Sequence, residues 1–199
     1  MFPLRLLITG ASGSGTTTLG SAMAGRLAVP HADVDDYFWM PTSPPHTTKR
    51  PVPDRICLME SVFAPRDSWV LSGSLVDWGG PVVRRLDAVV LLTLDPAIRL
   101  GRLKSRETVR YGSTIEPGGA NEAAHQEFYA WANGYDDPMF AGRSRAGHEE
   151  WLAALTCPVL RLDSQGPVER QLKGVTAWLE SDLIGATRRD GVRKPAERD

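Results

Sequence analysis

Apolar residues in this chain fall into short continuous runs, separated by stretches with helical spacing. Leu4 to Thr9 is such a run and reads as a buried strand. A glycine-rich turn follows, and then Thr16 to Ala28, where Leu19, Met23 and Leu27 recur at intervals that share one helix face. Pro30 interrupts, and the first half of His31 to Asp36 predicts a short second strand ending at Asp33 and Asp35. Tyr37 to Arg55 holds too much proline to be regular throughout, whereas Ile56 to Phe63 reads as helix. Ser68 to Ser74 predicts a third strand that ends in a Ser-Gly-Ser turn. Leu86 to Asp95 is a continuous Val/Leu run of the kind buried on both faces of a parallel sheet. Asp95-Pro96 then opens a helix through about Glu107. Arg110 to Ser144 is irregular apart from an amphipathic piece from His125 to Trp131, and its length is that of a lid or binding loop. Glu149 to Leu155 resumes a helix, Cys157 to Ser164 is a fifth strand, and Pro167 to Leu183 is the last helix. This alternation predicts an α/β fold with a parallel sheet and right-handed crossovers. The expected organisation is one domain over residues 1–184 with a lid-like insertion at about 108–148, then a charged, mobile tail at 185–199.

The turn between the first strand and the first helix, Gly10 to Thr17, has the sequence GASGSGTT. Such a turn points backbone N–H groups and the positive end of the helix dipole at one spot, which suits a phosphate chain. The spacing of Gly10, Gly15 and Thr17 follows the Walker A pattern GxxxxGK[ST], with Thr16 at the lysine position. Gly10, Ala11, Ser12, Gly13, Ser14, Gly15, Thr16, Thr17 and Thr18 are therefore candidate nucleotide-phosphate ligands, and the Thr17 hydroxyl is a candidate Mg²⁺ ligand. Two other readings exist: a glycine-rich turn without a ligand, and a dinucleotide fingerprint in Thr9 to Gly15. The short-chain dehydrogenase pattern TGxxx[AG]xG needs Gly or Ala at 14 and Gly at 16, where this chain has Ser14 and Thr16. Nor is any of Tyr37, Tyr111, Tyr129 or Tyr135 followed four residues later by lysine.

Composition narrows the class further. With 199 residues and 42% hydrophobic content, the chain can fill one core. A net charge of -1 offers no bulk attraction to nucleic acid. Cys57 and Cys157 form no CxxC pair and are expected as buried free thiols of a reducing cytosol. The N-terminus lacks a signal-peptide pattern, and no apolar run is long enough for a bilayer, so a cytoplasmic protein is expected. His125 and His148 match no metal-ligand spacing and are expected at the surface, and Asp36 is expected to cap a helix.

With loop, strands and helices laid out, the chain resembles the small P-loop kinases: adenylate kinase, other nucleoside monophosphate kinases and shikimate kinase. It is most similar to a bacterial adenylate-kinase-like branch with a lysine-less Walker A loop. The resemblance covers most of residues 4–183. It implies a three-layer P-loop NTPase fold: a five-stranded parallel sheet in the order 2-3-1-4-5, helices on both faces, and ATP beside the first loop. It also implies that Arg102 packs on the adenine and Arg106 reaches the transferring phosphate, with Arg110, Arg143 and Arg145 as phosphate-binding lid arginines. Ordinary solvated helix positions, shared with Arg99 and Lys104, are the other reading of Arg102 and Arg106. By the same resemblance, Asp33 organises the water shell of Mg²⁺, and Asp35 orients or deprotonates the acceptor. The acceptor site would form after the second and third strands, from Asp35, Tyr37, Trp39, Arg55, Ser74 and Arg84; for the aromatic residues a core position is the alternative.

Two departures stand out. Thr16 brings no charge, and Arg106 is its expected substitute, with Lys104 and Lys49 the lysines within reach. Ser72 precedes Gly73 where nucleoside monophosphate kinases commonly place Asp. The function so implied is an ATP- and Mg²⁺-dependent kinase acting on a nucleoside, nucleotide or similar small molecule. The alternatives are a nucleotide-binding switch with little catalysis and an NADP-dependent dehydrogenase.

Overall fold

Five parallel strands form one sheet: β1 (Arg5–Gly10), β2 (His31–Asp33), β3 (Trp69–Ser72), β4 (Ala88–Thr93) and β5 (Val159–Asp163). Their order is β2-β3-β1-β4-β5, as the P-loop kinase resemblance implies. It differs from the dinucleotide-binding order 3-2-1-4-5-6, which removes the structural ground for a dehydrogenase. The computed structural model describes residues 3–43 and 45–184, so the tail expected at 185–199 lies outside the described residues. The helices are α1 (Thr16–Leu27), α2 (Val34–Phe38), α3 (Val52–Val62), α4 (Gly80–Val83), α5 (Pro96–Tyr111), α6 (Glu122–Asn133), α7 (Arg145–Ala153) and α8 (Val168–Trp178).

Alternation along the strands builds two cores. Leu6 and Ile8 of β1 join Val70, Val90 and Leu92 on one face, packed by Leu19 and Met23 of α1 and Val175 of α8. Leu7 joins Leu71, Val89 and Leu91 on the other, packed by Met59 of α3, Val82 of α4 and Leu152 of α7. Burial on both faces is why β1 from Leu6 to Ile8 and β4 from Ala88 to Leu92 are continuously apolar.

Several local expectations change. Val34–Phe38 is helical, and its cap is Asp33, which accepts from the Asp35 N–H; neither Asp35 nor Asp36 is the cap. Helix α3 begins at Val52, because Pro51 and Pro53 sit at its first turn, where a missing N–H costs nothing. Helix α5 runs on to Tyr111 and stops at Gly112. The 110–144 stretch is mostly helical, with 3₁₀ turns at Gly112–Ile115 and Gly134–Asp136 around α6, and α7 starts at Arg145 behind a Ser144 cap. Cys57 is exposed and Cys157 half-buried, so the thiols are not core residues. His148, expected at the surface, is 1% exposed. Among the described residues, no helix is long and apolar enough to cross a membrane.

Candidate functional site

The glycine-rich loop leaves the carboxyl end of β1 at the middle of the sheet, flanked by β3 and β4. Gly13 has φ +88, and a Cβ there would lie 2.6 Å from the Arg99 carbonyl oxygen, so only glycine lets the loop rest on α5. Gly15 is the left-handed N-cap of α1 and brings no side-chain acceptor. The first N–H groups of α1 therefore lack a side-chain cap and face outward from the loop, the arrangement that binds phosphate oxygens. Ala11 and Ser14 are buried, Ser12, Gly13, Gly15 and Thr16 half-buried, and Thr17 and Thr18 exposed.

Beside the loop, Thr17 Oγ1 donates to Asp33 Oδ2 at 2.7 Å, and Ser72 Oγ donates to the same oxygen at 3.0 Å. The other oxygen, Oδ1, caps α2 at 3.0 Å. Ser72 thus occupies the position of the expected Asp as a donor that orients Asp33. Asp35 lies in the same neighbourhood. Burial, and then the Asp33 charge, push its carboxyl above the usual range, with Arg143, His46 and Arg106 pulling it back.

A second layer lies behind the loop. Arg99 is 1% exposed; its Nη1 donates to the carbonyls of Ser12 (3.3 Å) and Ala132 (3.0 Å), and its Nη2 to Asp136 (3.0 Å). Arg145 holds the other oxygen of Asp136 at 2.6 Å. Sequence reasoning names Arg99 only as a neighbour on a solvated face, in the alternative reading of Arg102 and Arg106. The available signal was the four-residue spacing of Arg99, Leu103 and Glu107, all of which are buried. Arg143 donates from Nη2 to the loop at Ser12 Oγ, 2.8 Å, and its guanidinium lies 4.9 Å from the centroid of the Trp131 ring. Also missed was a buried chain in which His148 meets Ser74 Oγ at Nε2 (3.2 Å) and the Tyr135 hydroxyl at Nδ1 (2.9 Å).

The remaining candidates separate by position. Arg102 is exposed and donates to the Ser164 carbonyl beyond β5. Arg106 pairs with Glu107 of its own helix at 3.0 Å. Arg55 is buried, its guanidinium 3.8 Å from the centroid of the Phe38 ring and 5.3 Å from that of Trp78. Trp78 also lines a cleft of about 380 Å³ with Leu75, Gly79 and Trp151. Trp39 is half-buried against the edges of Phe38 and His46. Tyr37 is 7% exposed and packs in the core, 6.3 Å from Phe63. Arg84 is exposed at the end of α4. Arg110, the other lid candidate, is exposed in the last turn of α5.

No family model matches the chain. It is 39% identical over 175 residues to the uncharacterized protein YqaC of Bacillus subtilis (strain 168), covering 88% of this chain and 97% of that one. The chain belongs to the YqaC family. Among solved structures, this YqaC-family chain is similar to a gluconokinase from Sinorhizobium meliloti 1021 (TM-score 0.53, 16% identity, 93% of this chain and 98% of that one). It is also similar to the shikimate kinase of Bacteroides thetaiotaomicron (TM-score 0.51, 18% identity, 89% and 98%) and that of Aquifex aeolicus vf5 (TM-score 0.51, 12% identity, 92% and 99%). At these identities the likeness is one of fold, the five-stranded α/β arrangement of P-loop kinases.

Proposed function

We propose that this YqaC-family protein is a small-molecule kinase that binds Mg-ATP on loop 10–18 and transfers the terminal phosphoryl group to a hydroxyl acceptor. The observation that carries the reading is the loop itself: a tight turn into α1 with no side-chain cap, and a Thr17 hydroxyl already bonded to the Asp33 carboxylate. A hydroxyl and a carboxylate side by side are hard oxygen donors of the kind Mg²⁺ takes together with its waters. When bound, the metal supplies charge neutralisation at the phosphate oxygens. Thr17 and Asp33 would hold it, with Ser72 keeping Asp33 in register.

The loop amides would bind the phosphates, and Arg102, fixed to the Ser164 carbonyl, would flank the base. Asp35 would accept the proton of the acceptor hydroxyl as its oxygen takes the phosphoryl group; a raised carboxyl pKa brings this base closer to the operating pH. Arg106, Arg143 and Arg145 are the cations proposed for the phosphoryl end, with Arg143 the one bonded to the loop. Arg55, Trp39 and Ser74 would line the acceptor, where a guanidinium braced on aromatic faces suits an anionic group.

The test is calorimetric titration with ATP, with and without Mg²⁺, followed by ADP release against a panel of nucleosides, nucleotides and hydroxy acids. Expected is Mg²⁺-dependent binding, and with the correct acceptor a turnover that Asp35→Asn lowers by roughly 10²- to 10⁴-fold at nearly unchanged ATP affinity. Absence of ATP binding overturns the reading. Binding without turnover against any acceptor favours the switch, to which Thr16 points.

A further inference from the structure

The loop lacks the cation that its pattern calls for, since Thr16 brings only a hydroxyl. The arginines in and around the site differ in how far their charge is already spent. Arg99 is neutralised by Asp136 and donates to two carbonyls. Arg145 shares the same carboxylate, and Arg106 is paired with Glu107. Arg143 stands apart from these three. Among the described residues it takes part in no ion pair, and its Nε is buried without a hydrogen-bond partner. Yet its Nη2 touches the loop at Ser12 Oγ.

A guanidinium withdrawn from water is costly unless an anion joins it, and the carboxylate that acts on Arg143 from a distance, that of Asp35, forms no ion pair with it. Packing keeps Arg143 there. Trp131 lies against its charged face, and at the preceding Gly142 a Cβ would fall 2.4 Å from the Phe140 ring and 2.9 Å from Trp131 Nε1. Only a glycine lets the chain pass so close to both rings and still deliver residue 143 to the loop. Behind it, Asp136 ties the same segment to Arg99, and Arg99 to the Ser12 carbonyl.

Building on the reading of loop 10–18 as a triphosphate site, we propose that Arg143 supplies the charge that Thr16 lacks. It would bind the β/γ-phosphate oxygens from the 134–145 segment instead of from the start of α1. The cation of this loop is then remote in sequence, and a guanidinium fork can grip two oxygens where an ammonium meets them as a point charge. Arg106, the substitute expected from the sequence, is held by its own helix instead.

The test is a four-member cycle read by ATP calorimetry: wild type, Arg143→Gln, Thr16→Lys, and the double variant. Arg143→Gln is expected to weaken ATP binding roughly 10- to 100-fold, the worth of a lost charge-assisted contact. Thr16→Lys should restore most of that loss in the Arg143→Gln background and add little to wild type, where two cations would crowd one place. A merely structural role for Arg143 has no reason to be rescued by a lysine at position 16. The assignment is overturned if Arg143→Gln binds ATP within about twofold of wild type, or if the double variant binds no better than Arg143→Gln. Should Arg143→Gln not fold, Arg143→Lys keeps the charge and is expected within about tenfold of wild type; a folded Arg143→Lys with no ATP affinity overturns the assignment. A wild-type protein that does not bind ATP sinks the nucleotide reading and this assignment together, whereas the mutant outcomes leave nucleotide binding standing.

Discussion

His148 shows how a single side chain couples the site to pH. It is enclosed between Tyr135 and Ser74, and burial, followed by the Arg143 charge, pushes its pKa down to about 4; Glu149 acts weakly the other way. In the unfolded chain it titrates near ~6.5. Between these values the unfolded state binds more protons, so stability rises with pH. The contribution is fully present above the unfolded value and drains away as pH falls towards about 4, where its loss reaches about 3 kcal/mol. Urea unfolding at a series of pH values from neutral to acidic should show this slope, and His148→Gln should flatten it. An unchanged slope in the variant would remove His148 from the explanation. None of this was legible locally: His148 stands 74 residues from Ser74 in the chain, and only the fold brings them together.

At the scale of elements, α5 carries the most readable signal. Asp95-Pro96 announces its start, and the Asp95 carboxylate indeed accepts from the N–H groups of Ala97 and Ile98. Asp95→Ala should therefore cost about 1 kcal/mol, measured as a lower urea midpoint at unchanged slope. Proline, by contrast, misled. Pro51 and Pro53 belong to a stretch, Tyr37 to Arg55, that reads as too proline-rich to be regular throughout, whereas at the first turn of α3 they are compatible with helix and even favour it. The same limit applies to α6 and the 3₁₀ turns around it. Their glycines and polar residues look like loop, but packing of Trp131, Tyr135 and Ala132 around Arg99 and Arg143 supports regular structure.

For the molecule as a whole, Arg99 links regions distant in the chain. One guanidinium joins the glycine-rich loop, α6 and Asp136 across separations of 87, 33 and 37 residues. Arg99→Met should destabilise the protein by about 3 kcal/mol, since it takes a buried donor from the Ser12 and Ala132 carbonyls and leaves Asp136 with Arg145 alone. ATP affinity should fall with it, because the loop and the segment bearing Arg143 lose their common anchor. A variant as stable as wild type in thermal melts would mean that the buried pair contributes nothing net.

The sequence alone determined most of the strands and the loop, because these depend on short-range signals: apolar runs buried on both faces, glycines at one turn, and hydroxyls at set spacing; the sheet order is a long-range property and came only through the resemblance to P-loop kinases. The sequence also brought Thr17 to notice through the Walker A spacing at the start of α1, and Asp33 through its place at the end of β2. Only the tertiary structure decided which of Arg99, Arg106, Arg143 and Arg145 are ion-paired. Charge pairing is set by distance in space, and the carboxylate that neutralises Arg99 and Arg145, like the hydroxyl that Arg143 reaches, comes from elsewhere in the chain.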